Sequence, residues 1–225
     1  MTSVVCDVSK LDDIQNLANQ TKKAYGRVNL LFNNAGIIPG TNVIRNTILD
    51  FEWVIGVNLW GTIYGVHTFL PIMLEQGDEC YIVNTSAGSA FISGNGAYDI
   101  TKYGVNALSE SMNIELRKIS SKVGVALLIP GIVDSNRNRP KTLKNPSRGS
   151  KNWDEINRRL GSIRETYRGS MSPDLVADMA FNAMENDVFY VFTEMAMKRG
   201  VEARHESIMR GFEGLEKYLQ RNPPA

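Results

Sequence analysis

Histidine, cysteine and net charge are what this sequence has least of. Only His67 and His205, and Cys6 and Cys80, occur in 225 residues. No pair among them has metal-ligand spacing, which argues against a metal centre. Two cysteines are too few for a disulfide framework. Both lie in apolar runs and read as reduced core thiols, which suits a cytoplasmic location. The formal charge is +1, so no global field recruits nucleic acid or an anionic membrane. The longest hydrophobic stretch, "WVIGVNLWGTIYGVHTFLPIML", is broken by Asn58, His67 and three glycines, and reads as a buried helix with no membrane span. The N-terminus "MTSVVCDVS" has no basic region before an apolar core, so no secretory leader is expected. "TSAGS" is not a G-x-S-x-G elbow, which removes the main signal for a hydrolase triad.

What the sequence has is alternation. Hydrophobic residues make up 43% and charged residues 22%, the composition of a folded globular chain. "SVVCDV" is a short β-branched run and predicts a buried strand. Ser9 with Asp12 predicts a helix start, and Gly26 its end. "VNLLF", "CYIVNTS", "VGVALLIPG" and "VFYVFT" predict further strands. Long helices are expected from Asp50 to about Gln76, with Pro71 bending the last turns, and over 97–119. "SPDLVADMAFNAMEND" predicts a helix with Pro173 at its first position, and a polar helix closes the chain. Continuously apolar strands between helices mean an α/β fold, a doubly wound parallel sheet covered on both faces. Nothing splits residues 1–225 into more than one domain.

In such sheets ligands bind beyond the carboxyl ends of the strands. Three successive strands end in polar clusters: "NNAG", "NTSAGS" and "PGIVDS". Each alone also fits ordinary turn chemistry. Glycines at 36, 88 and 131 allow close backbone approach to a flat ligand. Tyr98 and Lys102 then share one face near a helix start, at i and i+4. An ammonium beside a phenol favours the phenolate, and the helix N-terminus adds partial positive charge. Moving a phenol from about 10 to neutrality takes about three units, roughly 4 kcal/mol. Ser86, at a strand end, could donate to an oxygen gaining negative charge. Packing, solvation and turn capping are the alternative roles for these three. Asn58 interrupts the apolar stripe Phe51, Val54, Ile55 and Leu59, where an amide is costly unless fully hydrogen-bonded.

"NNAG" at Asn33–Gly36, Asn58, Ser86, Tyr98-x-x-x-Lys102 and Pro130-Gly131 stand in the order found in the short-chain dehydrogenase/reductase family, which the sequence resembles from Val4 to about Ser135 and more loosely beyond. The resemblance implies a Rossmann-like sheet and hydride transfer between nicotinamide, as NAD or NADP, and a small alcohol or carbonyl substrate. It makes Tyr98 the general acid or base and Ser86 the group that polarises the reacting oxygen. Lys102 would hold the nicotinamide ribose, and Asn58 a water relaying protons to Lys102. Asp7 and Val8 would touch the adenine, and Asn34, Ala35 and Gly36 its ribose. Pro130, Gly131, Val133 and Ser135 would meet the carboxamide. The serine-to-tyrosine spacing is one residue shorter than the family's commonest, which leaves Thr85 and Ser89 as substitutes for Ser86. By the same resemblance the two long helices would form the contact of a homo-oligomer.

Two regions depart from the pattern. Family members begin with a strand, a glycine-rich turn, a helix and a second strand, and this sequence shows no such turn. It is therefore expected to be truncated at the N-terminus by two βα units, about fifty residues. Either it represents part of a catalytic oxidoreductase, or it is a non-catalytic binding and oligomerisation module. The second region, about 134–170, corresponds to the family's variable substrate lid. Ten cations against three acids lie between Arg137 and Arg168, suited to a solvated loop or to attracting an anionic substrate. Trp153, Ile156, Leu160 and Ile163 recur there at helical spacing.

Overall fold

The structure, a computed structural model, describes residues 1–38, 43–92, 94–119, 121–134 and 170–223. The expected lid, with its cations and its apolar stripe, lies outside the described residues except at its two ends; Ser135 also lies outside them.

Four parallel strands form one sheet in the order β1-β2-β3-β4: β1 (Leu30–Asn33), β2 (Cys80–Thr85), β3 (Val123–Ile129) and β4 (Tyr190–Phe192). Helices cover both faces. On one face, Ile82 and Val125 pack under α1 (Leu11–Tyr25), α3 (Gly61–Gln76) and α5 (Ala97–Lys118) with Ile14, Phe69, Met73 and Met112. On the other, Val83, Ala126 and Leu128 meet Val176, Ala180 and Ala183 of α6 (Pro173–Glu185). The continuous apolar runs of β2 and β3 are what a strand buried on both sides requires. Ser172 opens α6 as expected, its hydroxyl accepting from the Leu175 N–H at 3.2 Å, with Pro173 in the first turn. No described helix is long and apolar enough to cross a membrane.

The front of the chain differs from expectation. "SVVCDV" forms no strand. Val5 is fully exposed, and the Asp7 N–H goes to a side chain instead of a ladder, donating to Asp13 Oδ2 at 2.8 Å, while just ahead of the segment the Thr2 N–H donates to the Tyr25 hydroxyl at 3.0 Å. A β-branched run becomes a strand only when a neighbour pairs with it. Ser9 does not cap α1 either. Its hydroxyl donates to Asp7 Oδ1 at 2.7 Å, and Lys10 stands at the cap without a side-chain bond. Cys6 and Val8 still pack against the core beneath α1 and α3. Gly26 ends α1 in the left-handed conformation, as its position predicted.

The long helix at 50–76 is also more segmented than its pattern implies. Thr47 and Asp50 form a reciprocal capping box that opens α2 (Ile48–Val54). A π-helical segment, Ile55–Trp60, then joins α2 to α3, which runs on through Pro71. The wider turn centres on Asn58, and such insertions recur at functional positions.

Candidate active site

The carboxyl ends of β1 and β2, the π segment and the start of α5 meet at one place. Tyr98 is the second residue of α5, and Lys102 lies one turn further on the same face. Both are buried. Lys102 Nζ donates to the Thr85 carbonyl at 2.6 Å and stands 5.8 Å from the centre of the Tyr98 ring. Burying an ammonium without an acceptor is costly, so the carbonyl at the end of β2 fixes where the lysine head rests. A Cβ added to Gly36 would come 3.8 Å from Lys102 Nζ and 3.5 Å from Asn58 Oδ1. The "NNAG" turn therefore lies directly over the lysine and the asparagine.

Asn58 is fully buried and its amide is fully used. Oδ1 accepts from the Ile37 N–H at 2.8 Å; Nδ2 donates to the Ile37 carbonyl at 2.9 Å and to Thr101 Oγ1 at 3.2 Å. Thr101 Oγ1 in turn donates to the Tyr98 carbonyl at 2.6 Å. Asn58 thus ties the turn after β1 to the first turn of α5. Asn34 is exposed, and its Oδ1 accepts from Thr85 Oγ1 at 2.9 Å. Ala35 is exposed beside it.

Ser86 follows β2 and is buried, but its hydroxyl turns inward, donating to Asn106 Oδ1 at 2.5 Å. Successive side chains of an extended strand point to opposite faces. Thr85 reaches the turn after β1, and Ser86 reaches α5. Ser89, the other substitute, opens the short helix α4 (Ser89–Ile92) and has a buried hydroxyl without a hydrogen-bond partner.

The turn after β3 is half-buried at Pro130, Gly131 and Val133. The Gly131 N–H donates to Thr193 Oγ1 at 3.0 Å and the Ile132 N–H to Glu194 Oε1 at 2.7 Å. A Cβ at Gly131 would overlap the Glu194 carboxylate, so a larger residue here would displace that side chain. Val133 bridges to Met171, and the Asp134 N–H donates to the Met171 carbonyl at 3.0 Å. At the front, Asp7 is exposed. The Ser9 hydroxyl, assisted by the Ser9 N–H and Lys10, holds its carboxyl below the usual range against the opposing effect of burial. Val8 packs on the helix where Gly61 leaves room; a Cβ there would stand 2.9 Å from Val8 Cγ2.

Sequence reasoning thus located Asn58, Tyr98, Lys102 and the "NNAG" turn, and the structure brings these together. It missed Thr101, Asn106, Thr193 and Glu194. Asn106 lies four residues after Lys102 on the face already carrying Tyr98, which helical spacing alone shows, but its pairing with Ser86 does not follow from that spacing.

The family model described as short chain dehydrogenase matches residues 1–146. The CLA biosynthesis dehydrogenase/reductase of Lactiplantibacillus plantarum is 24% identical over 213 residues, 92% of this chain and 74% of the relative. The C alpha-dehydrogenase of Sphingobium sp. is 25% identical over 209 residues, 92% of this chain and 68% of the relative. A solved short chain dehydrogenase/reductase from Burkholderia phymatum, in complex with NAD, superposes with a TM-score of 0.80 at 34% identity, over 100% of this chain and 78% of that one.

Proposed function

The chain belongs to the short-chain dehydrogenase family, and on that premise we propose that it transfers a hydride between a nicotinamide nucleotide, NAD or NADP, and a small alcohol or carbonyl substrate. One observation carries the reading: the Lys102 ammonium, the Tyr98 ring, Asn58 and Gly36 converge beyond the carboxyl ends of β1 and β2. The residues fit such a nucleotide. Gly36 leaves open the space a Cβ would fill, and an ammonium is a suitable donor to ribose hydroxyls.

The bound nucleotide would supply or accept the hydride. Tyr98 gives or takes the proton at the substrate oxygen, and Lys102 keeps a positive charge beside the ring while holding the ribose. Asn58 acts by fixing the turn over Lys102, since its amide is committed to Ile37 and Thr101. Asp7 and Val8 are read as the adenine contacts, and Asn34, Ala35 and Gly36 as those of its ribose. Pro130, Gly131 and Val133, held by Thr193 and Glu194, are read as the carboxamide contacts. Ser86 can polarise the substrate oxygen only if its hydrogen is released from Asn106. A half-turn of the Asn106 amide brings its NH2 to the Ser86 oxygen and frees that hydrogen. The exposed residues Ile100 and Ile114 on α5 and Leu74 on α3 support subunit contact through the long helices.

No residue here offers the glycine-rich turn that would receive a pyrophosphate. Among the described residues β1 has no neighbour on its second side, and Leu30 and Phe32 are exposed there, which supports a reading in which further βα units complete that floor. The test is fluorescence titration with NADH and NADPH, followed by turnover of a panel of alcohols and carbonyls. It is run on this chain and on the chain extended at its front by the βα units of a relative. Tyr98→Phe should lower turnover about 100- to 10,000-fold and leave nucleotide binding intact. Unchanged turnover in that variant overturns the mechanism. Failure of both forms to bind either nucleotide would leave the non-catalytic module as the reading.

A further inference from the structure

The last helix, α7 (Met197–Arg221), lies on the body only through its first two turns. Met197 packs on Gly88, Gly200 on Ile92, and the Arg204 guanidinium sits 5.1 Å from the centre of the Tyr103 ring. Beyond Val201 every described residue of the helix is exposed. Yet this free part is not polar all round. Ile208, Phe212, Leu215 and Leu219 follow one another at spacings of four, three and four, the seam of a coiled coil. Met209 and Tyr218 flank it, and all six side chains are between 43% and 62% exposed.

Such a helix does not hold by itself. Gly211 and Gly214 lie inside it, each costing about 1 kcal/mol relative to alanine, and no side chain or backbone packs near either. Helical stability in water comes mainly from a covered apolar face. The cover is not an anionic membrane. From His205 to Arg221 the cations Arg210, Lys217 and Arg221 balance the anions Glu206, Glu213 and Glu216, whereas interfacial helices carry a basic polar face.

We propose that the free part of α7 pairs with α7 of a second copy of this chain, antiparallel, about a two-fold axis between Phe212 and Leu215. The apolar sequence is self-complementary in that arrangement. Phe212 faces Leu215 of the second copy, and Ile208 faces its Leu219, so each layer sets unlike shapes against each other. Tyr218 of the second copy leans toward its own helix N-terminus and covers Gly211, where nothing obstructs it. Antiparallel pairing also puts the two bodies at opposite ends of the paired segment. With about 200 Å² for a large side chain, half exposed, six of them bury roughly 600 Å² per copy, or about 1,200 Å² in the pair, the lower bound for a specific interface. This pairing does not depend on the hydride-transfer reading.

Sedimentation velocity on the full chain across a concentration series tests it. The wild type should sediment as a dimer or larger assembly of 25.1 kDa chains. The double variant Phe212→Glu/Leu215→Glu should shift the midpoint of self-association upward at least tenfold. Ile114→Glu, on the exposed face of α5, should leave the α7 pairing in place. A wild type that stays monomeric throughout overturns the proposal, and so does self-association of the Ile114→Glu protein that is unchanged when Phe212→Glu and Leu215→Glu are added to it. Seam variants that dissociate while the Ile114→Glu protein stays associated support it.

Discussion

β1 and β2 run side by side in register, yet the structure treats them differently. β2 is buried on both faces, and its polar residues are bonded to other elements: Asn84 to Asn33 and Ser109, the Thr85 hydroxyl to Asn34, its carbonyl to Lys102. β1 has one neighbour among the described residues, and Leu30 and Phe32 on its second face are 47% and 41% exposed. Most of the catalytic candidates hang from the well-packed side, Lys102 from the end of β2 and Tyr98 from α5 against it, while Asn58 ties α5 to the turn after β1. The difference separates two requirements. Holding a phenol and an ammonium in place draws on the end of β2, on α5 and on the Asn58 tie to the turn after β1; enclosing a long nucleotide calls on the exposed side of β1 as well.

The contrast is broken most directly at Asn33 and Asn84, which are register partners and share a 2.8 Å hydrogen bond. Asn84→Ala should cost about 2–3 kcal/mol, because it removes a buried amide that serves two partners and leaves a cavity. Asn33→Ala should cost about 1 kcal/mol, since water can reach its half-exposed position and satisfy Asn84 Oδ1. Urea midpoints of the two variants check this. Equal losses would mean that β1 is as firmly held as β2.

Much of this asymmetry was not legible in the sequence. Tyr98 and Lys102 were, because helical spacing alone puts i and i+4 on one face. Asn58 was, because an amide on an apolar stripe has to be bonded to something. The partner of Ser86 was not. Asn106 lies twenty residues away, and only the direction of the side chain leaving β2 decides that they meet. The misplaced strand at "SVVCDV" failed for a related reason. β-branched residues report a preference for a pleated, half-buried surface, and the pairing that makes a strand is a property of the neighbour. The cap assigned to Ser9 failed because α1 begins one residue later, with Lys10 at the cap, and the Ser9 hydroxyl bonds back to Asp7. Helix faces and the glycine that ends α1 are local and readable, while strand pairing and tertiary polar pairs are not.

A smaller effect is expected on the bare face of β1. Phe32 touches Phe181 of α6, ring centres 6.0 Å apart, and keeps 41% of its surface open to solvent. Phe32→Ser should therefore change stability by no more than about 1 kcal/mol, far less than removal of a core aromatic. It should also lower self-association at high concentration, because exposed apolar edges template non-specific pairing. Light scattering alongside the urea midpoint reads both. A loss as large as that of Asn84→Ala would show that this face is covered in solution.

The smallest effect lies at the front, where Asp7 replaces the missing strand as the organiser of residues 7–10. Its carboxylate accepts from the Ser9 hydroxyl and N–H, and Asp7's carbonyl accepts from the Lys10 N–H at 2.9 Å. The Ser9 hydroxyl is the main reason its acidity is raised, so the folded form titrates below the unfolded value of about 4. A carboxyl depressed on folding stabilises the ionised state. That contribution is complete above the unfolded value and disappears as the pH falls through the folded one. Amide exchange at Ser9 and Lys10 should therefore be slower in the wild type than in Asp7→Asn at neutral pH, and the two should converge once the wild-type carboxyl is protonated. Because the group is exposed and solvent screens it, the global urea midpoint should barely move. A gap between the two proteins that stayed constant down through acid pH would mean that the turn is held by backbone geometry and not by the charge on Asp7.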